Sequence, residues 1–450
     1  MASTQQIQDQ VSPARVAFAS AIGTTIEWYD FFIFNTAAAL VFGKLFFPTV
    51  SPTAGTLAAF ATFGVAFAAR PIGGIVYGHF GDRLGRKKML VSSLLLMGLS
   101  TFAIGLLPTY GTIGVWSPFL LVALRFAQGF AIGGEWGGAV LMASEHAPKK
   151  RRGFYASWPQ VGAPSGLVLA SGLYFVLTKT LSDDQFNAWG WRIPFLVSVV
   201  LVMAGLYIRL RIIESPAFRK VQETDSTSKL PIADVLRTSR KQVFLGICST
   251  FGPNIFFYSA SVLALSYVTE KTGVAHQSVL LCLLAAALLE VFVIPVSSSW
   301  SDRVGRRPVL IAGAAVGAVV AFPFFWLLDS GSVPLIFISL VLALAVVHGL
   351  IYSAQSSFLS ELFETRTRYT GSSITYQIGG MLSSGPTPFL AAALLSCTGG
   401  TWAISLYMIL GSLISIAAIV AARETFDEDT HVEIAPSPRV TAVEAPEATA

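Results

Sequence analysis

Twelve apolar runs bounded by polar or charged residues divide the chain: 17–42, 55–79, 89–107, 117–143, 153–178 and 190–209, then 241–269, 277–300, 309–328, 333–358, 369–395 and 401–422. Most are near or above the roughly 20 residues a helix needs to cross a hydrocarbon core. Lipid offers the backbone no hydrogen-bond partner, so such spans must be helical. The pattern predicts an all-α polytopic membrane protein with twelve transmembrane helices. The first run lacks a basic flank and a convincing cleavage site, so it is expected to persist as helix 1 and not to be removed as a signal peptide.

Composition sharpens this picture. Of 450 residues, 54% are hydrophobic and only 12% charged, against about 25% charged in soluble proteins, which excludes a soluble globular enzyme. The net charge of +5 is not gathered into a basic patch with interleaved aromatics, so nucleic acid is not an expected partner. Cys248, Cys282 and Cys397 lie inside apolar runs and are too few for a disulfide framework or a metal cage; no metal is expected. Basic residues accumulate in cytoplasmic loops. With the N-terminus inside, the inner loops and tails hold 24 of the 30 Lys and Arg, the outer loops hold Lys44, Lys179, Arg192 and Lys271, and Arg70 and Arg125 fall within spans. Both termini are therefore expected in the cytoplasm. The domain plan is a tail at 1–15, a six-helix bundle at 16–209, a linker at 210–240, a second six-helix bundle at 241–422 and a disordered tail at 423–450, too polar and proline-rich to bury a core.

The two halves repeat. GHFGDRLGRKK at 78–88 follows span 2, and SSSWSDRVGRRP at 297–308 follows span 8, which sets Asp82 and Asp302 220 residues apart. Glu145 after span 4 precedes Arg152 by seven residues, Glu361 after span 10 precedes Arg368 by seven, and the two glutamates lie 216 apart. Two motifs repeating at nearly one offset predict a duplicated six-helix unit, two bundles that rock about a central site.

The pattern Gly78-x-x-Gly81-Asp82-Arg83-x-Gly85-Arg86-Lys87, with its half-copy Ser301-Asp302-Arg303-x-Gly305-Arg306-Arg307, resembles the signature loop of the major facilitator superfamily. EWYDFF (27–32), ARPIGG (69–74), RFAQGFAIGGEWGG (125–138), GWRIPF (190–195) and ESPAF (214–218) resemble the metabolite:proton symporter family, its shikimate-type members most of all. That family includes permeases for shikimate, 2-oxoglutarate, citrate and proline or betaine. The resemblance implies that the signature loop latches the outward-facing state. Gly78, Asp82, Arg83, Gly85, Arg86, Glu145, Arg152, Asp302, Arg303, Glu361 and Arg368 make the expected cytoplasmic gate. Asp82 is expected to pair with Arg83 and Arg86, Glu145 with Arg152, Asp302 with Arg303, and Glu361 with Arg366 or Arg368. Ser297 and Trp300 replace Gly78 and Gly81 in the second loop, so its turn is expected to be relaxed and its gate weaker.

Charges inside a membrane are costly and mark function. Span 1 carries Glu27 and Asp30 on one face, span 2 Arg70, and span 4 Arg125, Gln128 and Glu135. At 1.5 Å per residue Asp30 and Arg125 lie about 20 and 27 Å from the cytoplasmic ends of their helices, and Glu27, Arg70 and Glu135 at about 12 to 15 Å. By depth these charges form two layers, Asp30 with Arg125 near or above mid-depth and Glu27, Arg70 and Glu135 nearer the cytoplasm. In related proton symporters an acid on helix 1 pairs with an arginine on helix 4, positions that Asp30 and Arg125 match. Protonation of Asp30, Glu27 or Glu135 would free Arg125 to bind a carboxylate through its planar fork. Arg125, Arg70, Gln128, Asn254, Tyr258, Tyr352, Gln355 and Tyr376 are the candidate substrate-binding residues. Glu290, His348 and Gln377 are further candidates for lining the cavity. Trp28, Tyr29 and Trp136 stand beside the acids, whereas Phe31-Phe32, Phe46-Phe47, Phe256-Phe257 and Phe324-Phe325 are expected against lipid or at the interface.

These readings point to a secondary active transporter of the bacterial inner membrane. It would take up a small organic acid such as shikimate with protons, by alternating access, as a monomer in lipid and with no cofactor besides the proton. An osmolyte symporter and a proton-antiport exporter are the rivals; a passive facilitator does not need intramembrane acids. The chain has no GxxxxGK[ST] loop for ATP and no HExxH for a zinc protease, and His79-Phe80 spoils the faint likeness of Tyr29-Asp30 and Gly81-Asp82 to paired aspartyl-protease acids.

Overall fold

The computed structural model describes residues 12–49, 52–210, 231–365 and 367–426. The motif ESPAF, Arg366 and most of both tails lie outside the described residues. Twelve long helices account for most of the rest: α1 (Pro13–Phe46), α2 (Pro52–Leu84), α3 (Arg86–Leu106), α4 (Trp116–Glu145), α5 (Lys149–Thr180), α6 (Gly190–Leu210), α7 (Arg240–Thr272), α8 (His276–Val304), α9 (Arg306–Asp329), α10 (Val333–Glu361), α11 (Arg368–Thr398) and α12 (Trp402–Ala421). Each predicted run lies on one helix, and most helices extend several residues past their run.

The first bundle packs α2 on α4, α1 on α5, and α3 on α4 and α6; the second packs α9 on α12 and α10, and α7 on α12. Across the interface α2 lies against α11 and α5 against α8, contacts that the 2↔8 and 5↔11 repeat relates to each other. Close approach rests on small residues. A methyl group at Gly133 of α4 would overlap the carbonyl oxygen of Arg70 in α2. Large apolar side chains such as Val319, Phe389 and Val296 face outward, 70% or more exposed, as a lipid-facing surface requires.

Two features change the predicted plan. The last part of the linker is a helix, Pro231–Thr238, that packs against α2 and α11. The tail from 423 does not begin as free chain: Glu424 accepts hydrogen bonds from the backbone amides of Arg306 and Arg307 at 3.0 Å, and the Thr425 hydroxyl donates to Glu361 at 2.7 Å. Orphan amides at the start of α9 recruit this glutamate from the segment that composition predicts to be a disordered tail.

Candidate functional site

Both signature loops lie at one end of the molecule, and there the two bundles are joined. Gly85 (φ 107°) and Gly305 (φ 101°) form the two N-caps of α3 and α9. The second turn thus has the same left-handed form as the first, against the expectation of a relaxed turn, because the glycine and not Ser297 or Trp300 sets it. The aspartates do not act as expected either. Asp82 turns away from Arg83 and accepts from the backbone amide and hydroxyl of Thr370 at 3.0 and 2.8 Å, at the start of α11. Asp302 accepts from the amides of Gly153 and Phe154, both at 2.8 Å, near the start of α5, and from Arg306 at 2.7 Å. Each aspartate caps a helix of the opposite bundle, where unpaired amides and the helix dipole favour a carboxylate. A Cβ on Gly78 would stand 2.8 Å from the Cα of Thr370.

The other gate acids are also re-paired. Glu145 binds Arg86, with Arg368 at 3.7 Å. Glu361 binds Arg306 at 3.2 Å and lies within electrostatic range of Arg368, which donates to the carbonyl of Phe363. Arg83 and Arg303 point to the surface, Arg83 beside the ring of His79. Register along the sequence could not reveal this, because the partners come from helices more than fifty residues away.

Within the first bundle the predicted ion pair between Asp30 and Arg125 is absent. Asp30 accepts from Thr101 of α3 at 2.9 Å, Gln128 donates to the same hydroxyl at 2.7 Å, and Arg125 donates to Gln128 at 3.1 Å and to Asn35 at 2.9 Å. Thr101 and Gln128 thus bridge the two charges, while the rings of Phe31 and Phe34 cover the guanidinium of Arg125 at 4.7 and 3.9 Å. Glu135 does not pair with Arg70. It holds Arg209 of α6, which also donates to the carbonyl of Leu90, and accepts from Ser93 at 2.8 Å. In sequence Arg209 closes the apolar run 190–209 and so falls among the loop charges; only the packing shows it buried against Glu135. Glu27 lies within electrostatic range of both Arg209 and Arg70, with Oε1 buried and unpartnered.

Between the bundles is a central cavity lined from both of them. Of the predicted binding residues it is lined by Arg70, Asn254, Tyr258, Tyr352 and Tyr376, of the further candidates by His348 and Gln377, and also by Trp28 and Phe257. Arg125, Gln128 and Gln355 do not line it. Arg70 is buried, its guanidinium stacked on Phe67 at 4.1 Å and Phe31 at 4.6 Å beside Tyr258, and its Nε and Nη2 have no hydrogen-bond partner. Toward the signature loops the cavity is floored by Trp136 and Tyr376, stacked at 3.9 Å, and by Gln377, which donates to the Ile132 and Gly133 carbonyls. On the opposite side Trp28, Phe32, Phe67, Phe257 and Tyr258 join the bundles through ring contacts of 5.8 to 6.3 Å. The phenylalanine pairs expected at lipid are in fact mostly buried: Phe31, Phe46, Phe256, Phe324 and Phe325 are fully enclosed. Helix contacts, and not the bilayer, take the faces of these five rings.

A family model described as Major Facilitator Superfamily matches residues 20–384 and 250–440. The chain belongs to the major facilitator superfamily. It is 41% identical over 419 residues to the shikimate transporter of Escherichia coli (strain K12), covering 91% of this chain and 94% of that protein. It is 42% identical over 416 residues to the inner membrane metabolite transport protein YhjE of the same strain, with the same coverage. The proline/betaine transporter of Salmonella typhimurium is 34% identical over 416 residues, 90% of this chain and 83% of its own. Among solved structures, the proton:xylose symporter XylE bound to 6-bromo-6-deoxy-D-glucose superposes with a TM-score of 0.73 at 17% identity, covering 92% of this chain and 96% of that one.

A major facilitator chain is a transporter, and the duplicated bundles, central cavity and paired caps now have one frame. The cavity is shut toward the signature loops by the Asp82 and Asp302 caps and the Trp136–Tyr376 stack. Any route from that end must break contacts that cross between bundles, so the geometry is that of a closed gate.

Proposed function

We propose that this transporter is a proton-coupled symporter that carries a small organic acid, shikimate or a related carboxylate, into the cell across the bacterial inner membrane. The observation that carries this reading is Arg70: a buried cation in the cavity, with two guanidinium nitrogens unpartnered, ringed by tyrosine hydroxyls and an asparagine. Arginine binds a carboxylate through two parallel bonds, and hydroxyls suit a hydroxylated ring. The 41% identity to a shikimate transporter supports the same class. The basic loops favour a cytoplasmic signature-loop end and cytoplasmic termini, and on that reading the closed gate is the inner one. Asp30, Glu27 and Glu135 are the coupling acids of the first bundle. Protonation of Asp30 acts on Arg125 through Thr101 and Gln128 rather than by breaking a direct pair. Both bundles and the whole cavity belong to one chain, which works as a monomer.

The identity to a proline/betaine transporter and the rings of Trp28, Phe257 and Tyr258 favour a second reading, uptake of a zwitterionic osmolyte whose quaternary nitrogen would meet aromatic faces. The deciding experiment is uptake of labelled shikimate, with 2-oxoglutarate, citrate, protocatechuate and betaine as comparators, with and without an inward proton gradient. Gradient-driven accumulation of an acid is expected, and Arg70→Lys should lower its uptake about ten- to a hundredfold, as the loss of a charge-assisted bond worth about 1.5–3 kcal/mol implies. Asp30→Asn and Arg125→Ala should abolish accumulation. Equilibration indifferent to the gradient would end the proton mechanism, and preference for betaine would establish the second reading.

A further inference from the structure

The second bundle holds a buried acid–base pair that the transport cycle described above does not use. Glu290 of α8 is fully buried and its Oε1 is hydrogen-bonded to Nδ1 of His348 in α10. The other carboxylate oxygen, Oε2, is buried with no partner. The imidazole is stacked between Tyr352, at 4.5 Å, and Phe257, at 4.7 Å, and the ring lines the same cavity as Arg70. With Nδ1 taken by the glutamate, Nε2 is the nitrogen left for a ligand. His348 also closes a π-helical segment, Leu342–His348, a widened turn of the kind that recurs at functional sites.

We propose that Glu290 and His348 form a second proton-carrying site, in the C-terminal bundle, whose protonated form helps Arg70 hold the substrate carboxylate. This rests on the symport reading and deepens it. With Glu290 ionised and His348 neutral, the pair and Arg70 sum to zero charge. One proton added to Nε2 from the cavity makes the sum +1 and turns Nε2–H toward the anion, and its loss on the cytoplasmic side restores zero and releases the substrate. The other groups that face the pair are Tyr352 on α10, Tyr258 on α7, Tyr376 on α11 and Arg70 on α2. The helices α5 and α9 bring no charged residue to this level among the described residues. An exit is marked by orphaned polar groups. Gln355, seven residues after His348 and on its face, has neither amide atom bonded, and the hydroxyls of Ser356 and of Ser298, eight residues after Glu290, are buried without partners. Such groups call for water, and they continue from the pair toward the signature-loop end.

The test uses the full-length protein in proteoliposomes, with the membrane potential clamped at zero and an inward gradient of one pH unit. Each coupled proton then sustains about tenfold accumulation. Glu290→Gln and His348→Gln should each lower the plateau for labelled shikimate about tenfold, while counterflow of preloaded shikimate, which needs no net proton movement, continues in at least one of them. A wild-type plateau in both variants would overturn the assignment. So would loss of counterflow in both at normal protein content, since the pair would then be required for the fold or for any binding at all rather than for the added proton. If the wild type itself accumulates none of the acids, the symport reading falls and this site with it; a failure confined to the variants leaves that reading standing.

Discussion

Arg70 and Arg209 are both buried arginines near the same acids, yet their surroundings give them opposite work. Arg70 faces the cavity with unpartnered nitrogens, whereas Arg209 is spent on Glu135 and on the carbonyl of Leu90. Removing one partner of a buried pair leaves the other charge uncompensated and costs about 3–5 kcal/mol. Arg209→Ala is therefore expected to lower the melting temperature of the detergent-purified protein sharply, and Arg209→Gln with Glu135→Gln to recover most of the loss. If the single variant melts like the wild type, the pair does not hold α6 to α4. At this scale the sequence displayed the residue types but not the partners. Glu135 and Arg70 share a depth in the membrane, but Arg209 reaches the acid first because Gly23 of α1 leaves room for its guanidinium.

The helices were legible as elements because apolar length and turn glycines are local properties; how they engage was not. Asp82 and Asp302 sit in loops dense with arginine, and proximity in sequence favours pairing within the loop. Backbone amides of the opposite bundle win because a capped helix end satisfies donors that would otherwise be buried unpaired. Losing one such cap costs about 1 kcal/mol, roughly a fivefold shift between the closed and open gate. Asp82→Ala and Asp302→Ala should each raise, by about that factor, the labelling rate of a cysteine placed at Ser373, which is buried on α11 against Gly137 of α4, in a background free of Cys248, Cys282 and Cys397. The double variant should exceed either. Unchanged labelling in all three would show that the caps do not set the gate. Packing of α2 on α4 makes a separate demand: Gly133→Ala should destabilise by about 1–3 kcal/mol. Gly172→Ala, where a methyl group meets nothing within 4 Å, should melt as the wild type does.

Across the whole molecule, the chain that leaves α12 returns to the gate. Glu424 caps α9, Thr425 holds Glu361, and the ring of Phe426 lies 5.7 Å from the guanidinium of Arg306. These contacts reinforce the Asp302–Arg306–Glu361 cluster from outside both bundles. Truncation after Ala422 is expected to speed labelling at Ser373→Cys while leaving the melting temperature of the bundles nearly unchanged, with Glu424→Ala giving most of the effect. Slower or equal labelling would mean that the strap follows the gate rather than stabilising it.

The sequence by itself determined the twelve spans, their division into two related halves, the glycine turns and the inventory of buried charge. Each follows from hydropathy over some twenty residues or from a residue's own conformational range, and needs no knowledge of neighbours. Much of the cavity was also foreseeable, since Arg70, Asn254, Tyr258, His348, Tyr352, Tyr376 and Gln377 are polar groups within spans, where only an interior can house them. Tertiary structure alone decided the pairings: Asp30 with Thr101, Glu135 with Arg209, Glu290 with His348, and each signature aspartate with the far bundle. A buried charge takes whichever donor the packing brings within 3 Å or so, and that choice is made by helices meeting from distant parts of the chain.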